Sequence, residues 1–377
     1  MAYKLSDLCC YVKGKTPVAS LTPLTYISTE NMLPNKAGVT TASSLPTVDY
    51  TQVYQRGDVL VSNIRPYFKK IWQAAYDGGC SNDVLVFRAN ENCDPTFLYY
   101  VLADDAFFNY SMATSKGTKM PRGDKTAILE YSVPQFDIET QRKIGVILSA
   151  LDKKISVNSK INDNLQKQAL AIFQQELLRE GDLPDGWTRG SLLDIANYLN
   201  GLAMQKFRPT DGESGLPVLK IKELRQGSCD ASSELCSPNI KPEYIIHDGD
   251  VIFSWSGSLL VDLWCGGTCG LNQHLFKVTS DKYPKWFYYA WTAHHLARFV
   301  AIAADKATTM GHIKREELAK AEVVIPDTSS MDRIGGILQP IYDLIISNRI
   351  ENRKLAALRD TILPQLMAGD LDVSDLT

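Results

Sequence analysis

The chain has 377 residues, of which 45% are hydrophobic, and a formal net charge of −3 at pH 7. This length is too great for one ordinary core and predicts two or three domains. The charge balance argues against a polybasic protein that binds nucleic acid without specificity, but it leaves room for a local basic groove.

The N-terminal segment, MAYKLSDLCC, lacks the basic, apolar and small-residue zones of a signal peptide, and the sequence contains no run of about 18 apolar residues. A cytoplasmic location is therefore expected. The 8 cysteines form no C-x-x-C pair, and no histidine or second cysteine pair is placed to complete a zinc site with Cys265 and Cys269. Reduced, buried thiols are expected, with no metal site.

Four segments of the first half recur in the same order about 190 residues later. LSDLCCYVKG corresponds to LLDIANYLNG, and RGDVLVSNIRP corresponds to DGDVIFSWSGS, a Gly-Asp turn that leads into a strand. PTFLYYVL corresponds to PKWFYYAW, a buried helix, and SKGTKMPRGDKTAILEYSVPQFD corresponds to DKATTMGHIKREELAKAEVVIPD, a polar loop, a short helix and a strand. GGCSNDV and GGTCGLNQH also correspond, the latter as a tight loop with polar groups. The chain is therefore predicted to be an internal duplication.

A long helix follows each half, because KIGVILSALDKKISVNSKINDNL at 143–165 has a near copy, RIGGILQPIYDLIISNRIENRKL, at 333–355. The predicted fold is α+β, with a mixed domain at 1–138, a long helix at 139–180, a second mixed domain at 181–328 and a second long helix at 329–377. Pro340 falls inside the second apolar pattern, which suggests a helix that begins there with proline in its first turn. Pro364 is expected to kink or end this helix.

Apolar positions in both helices recur in steps of four and three, the pattern of a coiled coil. The alternative is that each apolar stripe packs on its own domain. The predicted seam consists of Ile144, Leu148, Leu151, Ile155, Asn158, Asn162 and Leu165 in the first helix, and of Ile334, Leu338, Ile341, Ile345, Asn348, Asn352 and Leu355 in the second.

Asparagines occupy the same seam positions in both copies, and a buried asparagine avoids an energetic penalty only when it meets another polar group. Antiparallel pairing places Asn158 opposite Asn352 and Asn162 opposite Asn348. Parallel pairing also matches asparagine to asparagine, but it requires the second domain to supply a connection along the full helix. The antiparallel arrangement predicts a pseudo-two-fold molecule with one globular domain at each end of a rod, which would suit duplex DNA.

No catalytic motif emerges from the sequence; Gly14-Lys15-Thr16 resembles the end of a phosphate-binding loop, but Cys9 stands where its first glycine is required. Basic and hydroxyl side chains instead recur in matching loops of both halves, where they could neutralise phosphates or read base edges. The alternative is a solvated surface. The candidate DNA-binding residues are Arg65, Lys69, Lys70, Lys116, Thr118, Lys119, Arg122 and Lys125 in the first half, and Lys220, Lys222, Arg225, Ser254, Ser256, Lys306, Thr308, Thr309, His312 and Lys314 in the second.

Two variable halves, each followed by a repeated long helix, with LPDGWTRGSLLDIA opening the second half and LRDTILPQLMAGDLDVS closing the chain, resemble the specificity subunit of type I restriction-modification enzymes. This resemblance implies a non-catalytic subunit whose two target-recognition domains each read one part of a split double-stranded DNA site. It implies helices that set the spacing and dock two methyltransferase subunits, which bind S-adenosylmethionine and methylate adenine. Restriction subunits that use ATP and Mg²⁺ are further expected partners. The rival interpretations are a two-headed scaffold protein without DNA specificity and a self-contained enzyme.

Overall fold

The computed structural model describes residues 3–178, 181–305 and 312–373. The chain forms two compact units. One contains the residues up to Lys154 together with those from Leu355 on, and the other spans Ile155–Lys354. Each unit thus combines one globular domain with portions of both long helices, and the four-part division of the chain stays a prediction.

The first domain contains two four-stranded sheets and a small two-stranded sheet. The sheet orders are β2-β9-β6-β7, β3-β5-β8-β4 and β1-β10, and the β4–β8 pair is parallel. The strands are β1 Tyr3–Lys4, β2 Cys9–Tyr11, β3 Lys15–Pro17, β4 Tyr26–Ile27, β5 Tyr50–Tyr54, β6 Val59–Ser62, β7 Ile71–Gln73, β8 Gly78–Cys80, β9 Val84–Ala89 and β10 Ser132–Val133. The helices are α1 Leu5–Leu8, α2 Pro95–Ala103, α3 Asp105–Ala113 and α4 Lys125–Leu129, followed by the long helix α5, Ile138–Leu177.

The second domain repeats two of these sheets as β12-β19-β16-β17 and β11-β20. In its third sheet, β14-β13-β18-β15, the parallel β13–β18 pair corresponds to β4–β8, whereas the fourth strand β14 pairs with β13 and so lies at the opposite edge from β3. Its strands are β11 Thr188–Ser191, β12 Asn197–Asn200, β13 Leu216–Leu219, β14 Leu235–Cys236, β15 Ile245–Ile246, β16 Val251–Ser254, β17 Leu260–Leu263, β18 Cys269–Leu271, β19 Leu275–Thr279 and β20 Glu322–Ile325. Its helices are α6 Leu192–Ile195, α7 Ile221–Gln226, α8 Lys285–His294, α9 Leu296–Asp305 and α10 Arg315–Ala319, followed by the long helix α11, Thr328–Ala368. The predicted duplication is confirmed.

The Gly-Asp turn before the central strand shows how the repeated sequence produces the repeated fold. Asp58 Oδ2 accepts a hydrogen bond of 2.8 Å from the Gln55 amide, and Asp250 Oδ2 accepts one of 2.9 Å from the His247 amide. Each aspartate also forms a salt bridge with a residue of the neighbouring strand, with Arg88 at 2.7 Å in the first domain and with Lys277 at 2.9 Å in the second. In each turn the aspartate side chain accepts a hydrogen bond from a backbone amide, as a backbone carbonyl would in an ordinary turn. The aspartate thereby fixes where β6 and β16 begin.

Each long helix begins directly after an aspartate. Asp137 Oδ1 accepts a hydrogen bond of 2.7 Å from the Thr140 amide, and Asp327 Oδ1 accepts one of 2.9 Å from the Ser330 amide. These side chains satisfy amides that have no partner within the helix.

The expectation for Pro340 is wrong, because the helix starts at Thr328, well before this proline. Pro364 does not end the helix, which continues to Ala368, and the expected kink there stays a prediction. Both prolines lie at exposed positions. A proline inside a helix removes one hydrogen bond, and at an exposed position water can satisfy the carbonyl that loses its partner.

The asparagine positions decide how the helices pair in the second unit. Asn158 Nδ2 donates to Asn352 Oδ1 at 2.9 Å, and Asn348 Nδ2 donates to Asn162 Oδ1 at 2.9 Å. Only antiparallel helices give this pair of contacts. The predicted antiparallel pairing is confirmed.

The apolar seam also belongs to the domain cores, so the alternative interpretation is correct in part. Ile144 and Leu148 are buried in the core of the first domain, and Ile334, Leu338 and Ile345 are buried in that of the second. The remaining apolar seam residues are half-buried, namely Leu151, Ile155, Leu165, Ile341 and Leu355. The seam therefore joins the helices to their domains as well as to each other.

Replacing Asn162 with alanine should lower the free energy of unfolding by about 1–3 kcal/mol, because it leaves the buried Asn348 amide without its side-chain partner. Replacing both residues with leucine should cost much less, since no polar group is then left unsatisfied. Urea denaturation measures both changes. Asn164, exposed on the same helix, supplies the control Asn164→Ala. A single variant as stable as this control would show that the asparagine pair does not hold the helices together.

The cysteines are free thiols, and most of them are buried, as expected. Cys10 is an exception because its side chain is exposed, and Cys229 is half-buried. In the described ranges, no helix combines the length and apolar character needed to cross a membrane.

Candidate nucleic-acid interface

Two predicted loops of the first domain come together as one surface, here termed the first loop pair, residues 63–70 and 115–125. Ile64 and Arg122 form an isolated β-bridge, and Arg122 forms another with Lys116. The Arg65 amide donates to the Pro121 carbonyl at 2.8 Å. Segments about 50 residues apart in the sequence are thus held together by backbone hydrogen bonds.

The second domain contains the equivalent arrangement, the second loop pair, residues 254–258 and 312–314. Ser256 and His312 form an isolated β-bridge, and the Ile313 amide donates to the Trp255 carbonyl at 2.9 Å. Lys314 is exposed at the end of this segment. Lys306, Thr308 and Thr309 lie outside the described residues. The duplication therefore extends from the sheets to the pairing of these loops.

Several cations of the first loop pair are engaged with neighbouring groups. Lys116 Nζ lies 2.6 Å from Asp124, Arg122 lies 3.1 Å from Asp83, and Lys69 Nζ lies 2.7 Å from Asp105. The hydrogen bond from Lys116 lowers the pKa of Asp124. These carboxylates neutralise part of the positive charge and hold the cations in place.

The other candidate DNA-binding residues of the first loop pair differ in how exposed their side chains are. Lys70 Nζ donates to the Thr29 carbonyl at 2.6 Å, and burial lowers the pKa of its ammonium group. Thr118, Lys119 and Lys125 are exposed. Within the ranges that the structure describes, these three exposed side chains have no side-chain partner to give up before they reach a ligand.

The structure argues against one predicted contact in the second half, because Ser254 is completely buried. Its hydroxyl donates to the Ser258 carbonyl at 2.9 Å and thereby shapes the loop after β16. Ser256 is also buried, with its hydroxyl 3.2 Å from His274 Nδ1. The corrected role of Ser254 is structural, since strand ends bury hydroxyls that sequence alone presents as available.

The basic segment 220–225 adjoins the second loop pair. A Cβ on Gly257 would lie 3.6 Å from Ile221 Cδ1, which places the start of α7 beside the loop. Lys220 lies 2.6 Å from Glu234, Lys222 donates to Ser232 Oγ at 2.8 Å, and Arg225 is exposed.

Two rings that were absent from the predicted set, those of Trp255 and His274, lie in and beside the second loop pair. The Trp255 ring stacks on Phe276 with centroids 5.6 Å apart, and its Nε1 donates to Asn200 Oδ1 at 3.0 Å. The His274 and His312 rings each lie 6.2 Å from Trp255. The correspondence between GGCSNDV and GGTCGLNQH was the available signal, because it matches the loop that carries Asp83 with the loop that carries His274.

Comparison with known proteins agrees with this duplicated architecture. The type I restriction modification DNA specificity domain matches the chain twice, over residues 1–167 and 184–358. The chain belongs to the type I restriction-modification DNA specificity family. This is a family of specificity subunits, which are generally non-catalytic, and its two domains fit a bipartite recognition site.

Curated relatives include two specificity subunits. The chain is 24% identical over 302 residues to the type I restriction enzyme MjaIX specificity subunit of Methanocaldococcus jannaschii, an alignment that covers 74% of this chain and 70% of the relative. It is 19% identical to the HindI specificity subunit of Haemophilus influenzae, with 98% of this chain and 99% of the relative covered.

A solved structure shares the fold. The crystal structure of the type I restriction-modification system S subunit from M. genitalium matches with a TM-score of 0.61 at 14% identity, covering 99% of this chain and 96% of the other.

Proposed function

We propose that this chain is the DNA-reading subunit of a type I restriction-modification enzyme, in which each globular domain reads one part of a split double-stranded DNA site. The observation that carries this proposal is the repeated loop pair, in which Ile64 bridges Arg122 in one domain and Ser256 bridges His312 in the other. Both copies gather polar and basic side chains from distant segments at one place. Two such surfaces can read two sequences independently.

The two loop pairs contain different kinds of side chain, which supports the proposal that the two domains recognise different bases. The first is built around ion-paired Arg122, Lys116 and Lys69. The second is built around Trp255, His274 and His312. Guanidinium groups favour guanine edges, and a surface built from other side chains presents a different pattern of donors and acceptors.

Methyltransferase subunits are the proposed partners of the long helices. In the second unit, Val157 and Ile161 lie one turn apart on α5 and are 51% and 40% exposed. Ile337 and Leu344 lie two turns apart on α11 and are each 45% exposed. Apolar side chains grouped in this way on helices are typical of surfaces that bind other proteins.

The chemical steps are proposed to belong to those partners. Two methyltransferase subunits would bind S-adenosylmethionine and methylate adenine, and restriction subunits would use ATP and Mg²⁺. This chain would supply recognition and assembly in the cytoplasm and no catalytic group.

The first loop pair can be tested by replacing Lys116, Lys119 and Arg122 with alanine and measuring DNA binding by the assembled complex as a function of salt. Each phosphate contact that is lost should reduce the slope of log K against log[salt] by about one. Lys119 should contribute most, because no carboxylate among the described residues pairs with it, whereas Lys116 and Arg122 each have one.

Arg56, exposed before β6 at the opposite end of that strand from the loop pair, provides the matched control Arg56→Ala. An unchanged salt slope in the triple variant would remove this loop from the interface. A wild-type complex that bound all duplexes equally would instead favour a scaffold protein without DNA specificity.

A further inference from the structure

Residues with left-handed backbone conformation concentrate at one place in the first domain. Among the described residues other than glycine, positive φ angles occur at Asn35, Lys36, Arg65 and Lys69, with values of 56°, 63°, 52° and 50°. Residues with a Cβ adopt this conformation at an energetic cost, and it persists where the surrounding structure enforces it. Such concentrations of strain are a feature of functional sites.

All four residues belong to two turns that are bonded to each other. The Asn35 amide donates to the Phe68 carbonyl at 2.8 Å, and the Lys36 amide donates to the Lys69 carbonyl at 2.9 Å. Residues 65–69, here termed the aromatic turn, are therefore held by a second turn along their backbone.

A carboxylate at the start of α3 fixes the same two turns through their side chains. Lys36 Nζ lies 2.9 Å and Lys69 Nζ 2.7 Å from the oxygens of Asp105. Desolvation raises the pKa of Asp105, but the hydrogen bonds from the two lysines outweigh it and leave this pKa below its ordinary value. The charged form of Asp105 therefore prevails at neutral pH and stiffens the turn.

The aromatic turn displays two adjacent rings to solvent. Tyr67 is 49% exposed and Phe68 is 38% exposed, with ring centroids 4.6 Å apart and planes at 53°. Lys70 Nζ lies 5.8 Å from the centroid of the Phe68 ring. The hydrogen bonds and ion pairs of the turn hold these apolar rings in water, although the turn is strained. Exposed apolar side chains that are held in place in this way indicate a surface that contacts another molecule.

The aromatic turn is part of the first loop pair and contacts its other segment directly. The Arg65 amide donates to the Pro121 carbonyl, and Ile64 bridges Arg122. Arg65 Nε is buried, and within the described part of the chain this atom has no hydrogen-bond acceptor. When the alignment of RGDVLVSNIRP with DGDVIFSWSGS is continued, the aromatic turn corresponds to residues 257–261, which contain no aromatic residue. The aromatic turn therefore occurs in the first domain alone. This is expected of a structure that helps one domain to read a different half-site from the other.

We propose that Tyr67 and Phe68 form a stiff wedge that contacts the bases of the half-site read by the first domain and unstacks one base step there. This inference rests on the proposed function. Apolar side chains inserted between base pairs partly unstack them, and the energy required depends on the sequence of the step. The wedge would therefore contribute specificity without a hydrogen bond to a base. Such a contact requires a rigid turn, because a flexible turn would change its conformation before the bases separated.

The test uses the complex assembled with its methyltransferase subunits and duplexes in which 2-aminopurine replaces a base at successive positions of the first half-site, away from the methylated adenine. Wild-type protein should raise the fluorescence at one step. The double variant Tyr67→Ala/Phe68→Ala should lose this signal and bind the site about ten- to a hundredfold more weakly, the range expected for lost contacts between aromatic rings and bases. Phe68→Leu, which keeps an apolar side chain, should retain most of the signal and affinity.

Tyr50, 60% exposed on β5, supplies the matched control Tyr50→Ala, which should leave both readouts unchanged. Circular dichroism verifies that each variant is folded. A folded double variant with wild-type fluorescence and affinity would overturn the wedge while leaving the proposed function intact. A wild-type complex that failed to distinguish its site from a scrambled duplex would overturn the proposed function itself.

Discussion

Removal of residues 361–377 should unfold the first domain and leave the second domain folded. The core of the first domain includes Leu363, Leu366 and Val373, which are 4%, 3% and 6% exposed and come from the opposite end of the sequence. These side chains pack with Ile144 and Leu148 of α5 in the same core. Their loss would expose the apolar side chains that they cover in this core.

Point substitutions give this prediction a magnitude. Leu363→Ala and Leu366→Ala should each lower the free energy of unfolding of the first domain by about 2–5 kcal/mol, the usual range for buried leucines. Leu358, on the same helix and in the same unit but 49% exposed, provides the matched control Leu358→Ala, which should change stability by less than about 0.5 kcal/mol.

Limited proteolysis followed by mass spectrometry shows which of the two domains has unfolded in the truncated chain. In the truncated chain, cleavage should become rapid within residues 3–136 and stay slow within residues 187–326. Equal protection of both ranges would show that the C-terminal segment is dispensable for the first core.

The antiparallel helix pair could be predicted from the sequence because its determinants are local and repeated. Asn158 and Asn162 recur as Asn348 and Asn352 at the same positions of the apolar pattern, and a buried amide needs a polar partner. The segments of the domains could be matched for the same reason. Periodicity and repetition carry both inferences without any knowledge of tertiary contacts.

Four residues beyond Leu355, the step that continues the apolar pattern of the second helix, the sequence has Arg359, and periodicity could not explain this charged residue. Arg359 Nη1 donates to Asp152 Oδ1 at 2.5 Å, and Tyr100 Oη donates to Asp152 Oδ2 at 2.6 Å. Burial raises the pKa of Tyr100, which keeps the phenol protonated as a donor to this carboxylate. The three residues come from α2, α5 and α11, so their association depends on the packing of the first unit.

The candidate interface was predictable in its loops but not in its detailed chemistry. Sequence presents Ser254 and Lys116 as equally available polar groups, whereas the fold buries the first and pairs the second with Asp124. The aromatic turn was missed because a left-handed conformation at Arg65 and Lys69 has no sequence signal of the kind that glycine supplies. Those features arise from contacts with residues 35 and 36, which only the folded chain brings near.

Exchange of the first domain tests the modular account of DNA recognition. Replacing residues 1–136 with the matching segment of a relative retains Asp137, whose side chain caps the start of α5, and leaves both long helices intact. The donor segment has to be compatible with Ile144, Leu148, Leu363 and Leu366, since these side chains complete the first core. The contacts of the second loop pair, such as the bridge between Ser256 and His312, are formed within the second domain and should persist.

The decisive measurement is single-molecule sequencing of methylated adenines in cells that carry this chimaera with its methyltransferase subunits. If each domain reads one half-site, one part of the methylated motif should change to that of the donor, and the other part should remain as in the parent. The same measurement on the parent chain supplies the reference motif. A chimaera that is folded and assembled but alters both parts together, or neither, would contradict the assignment of one half-site to each domain.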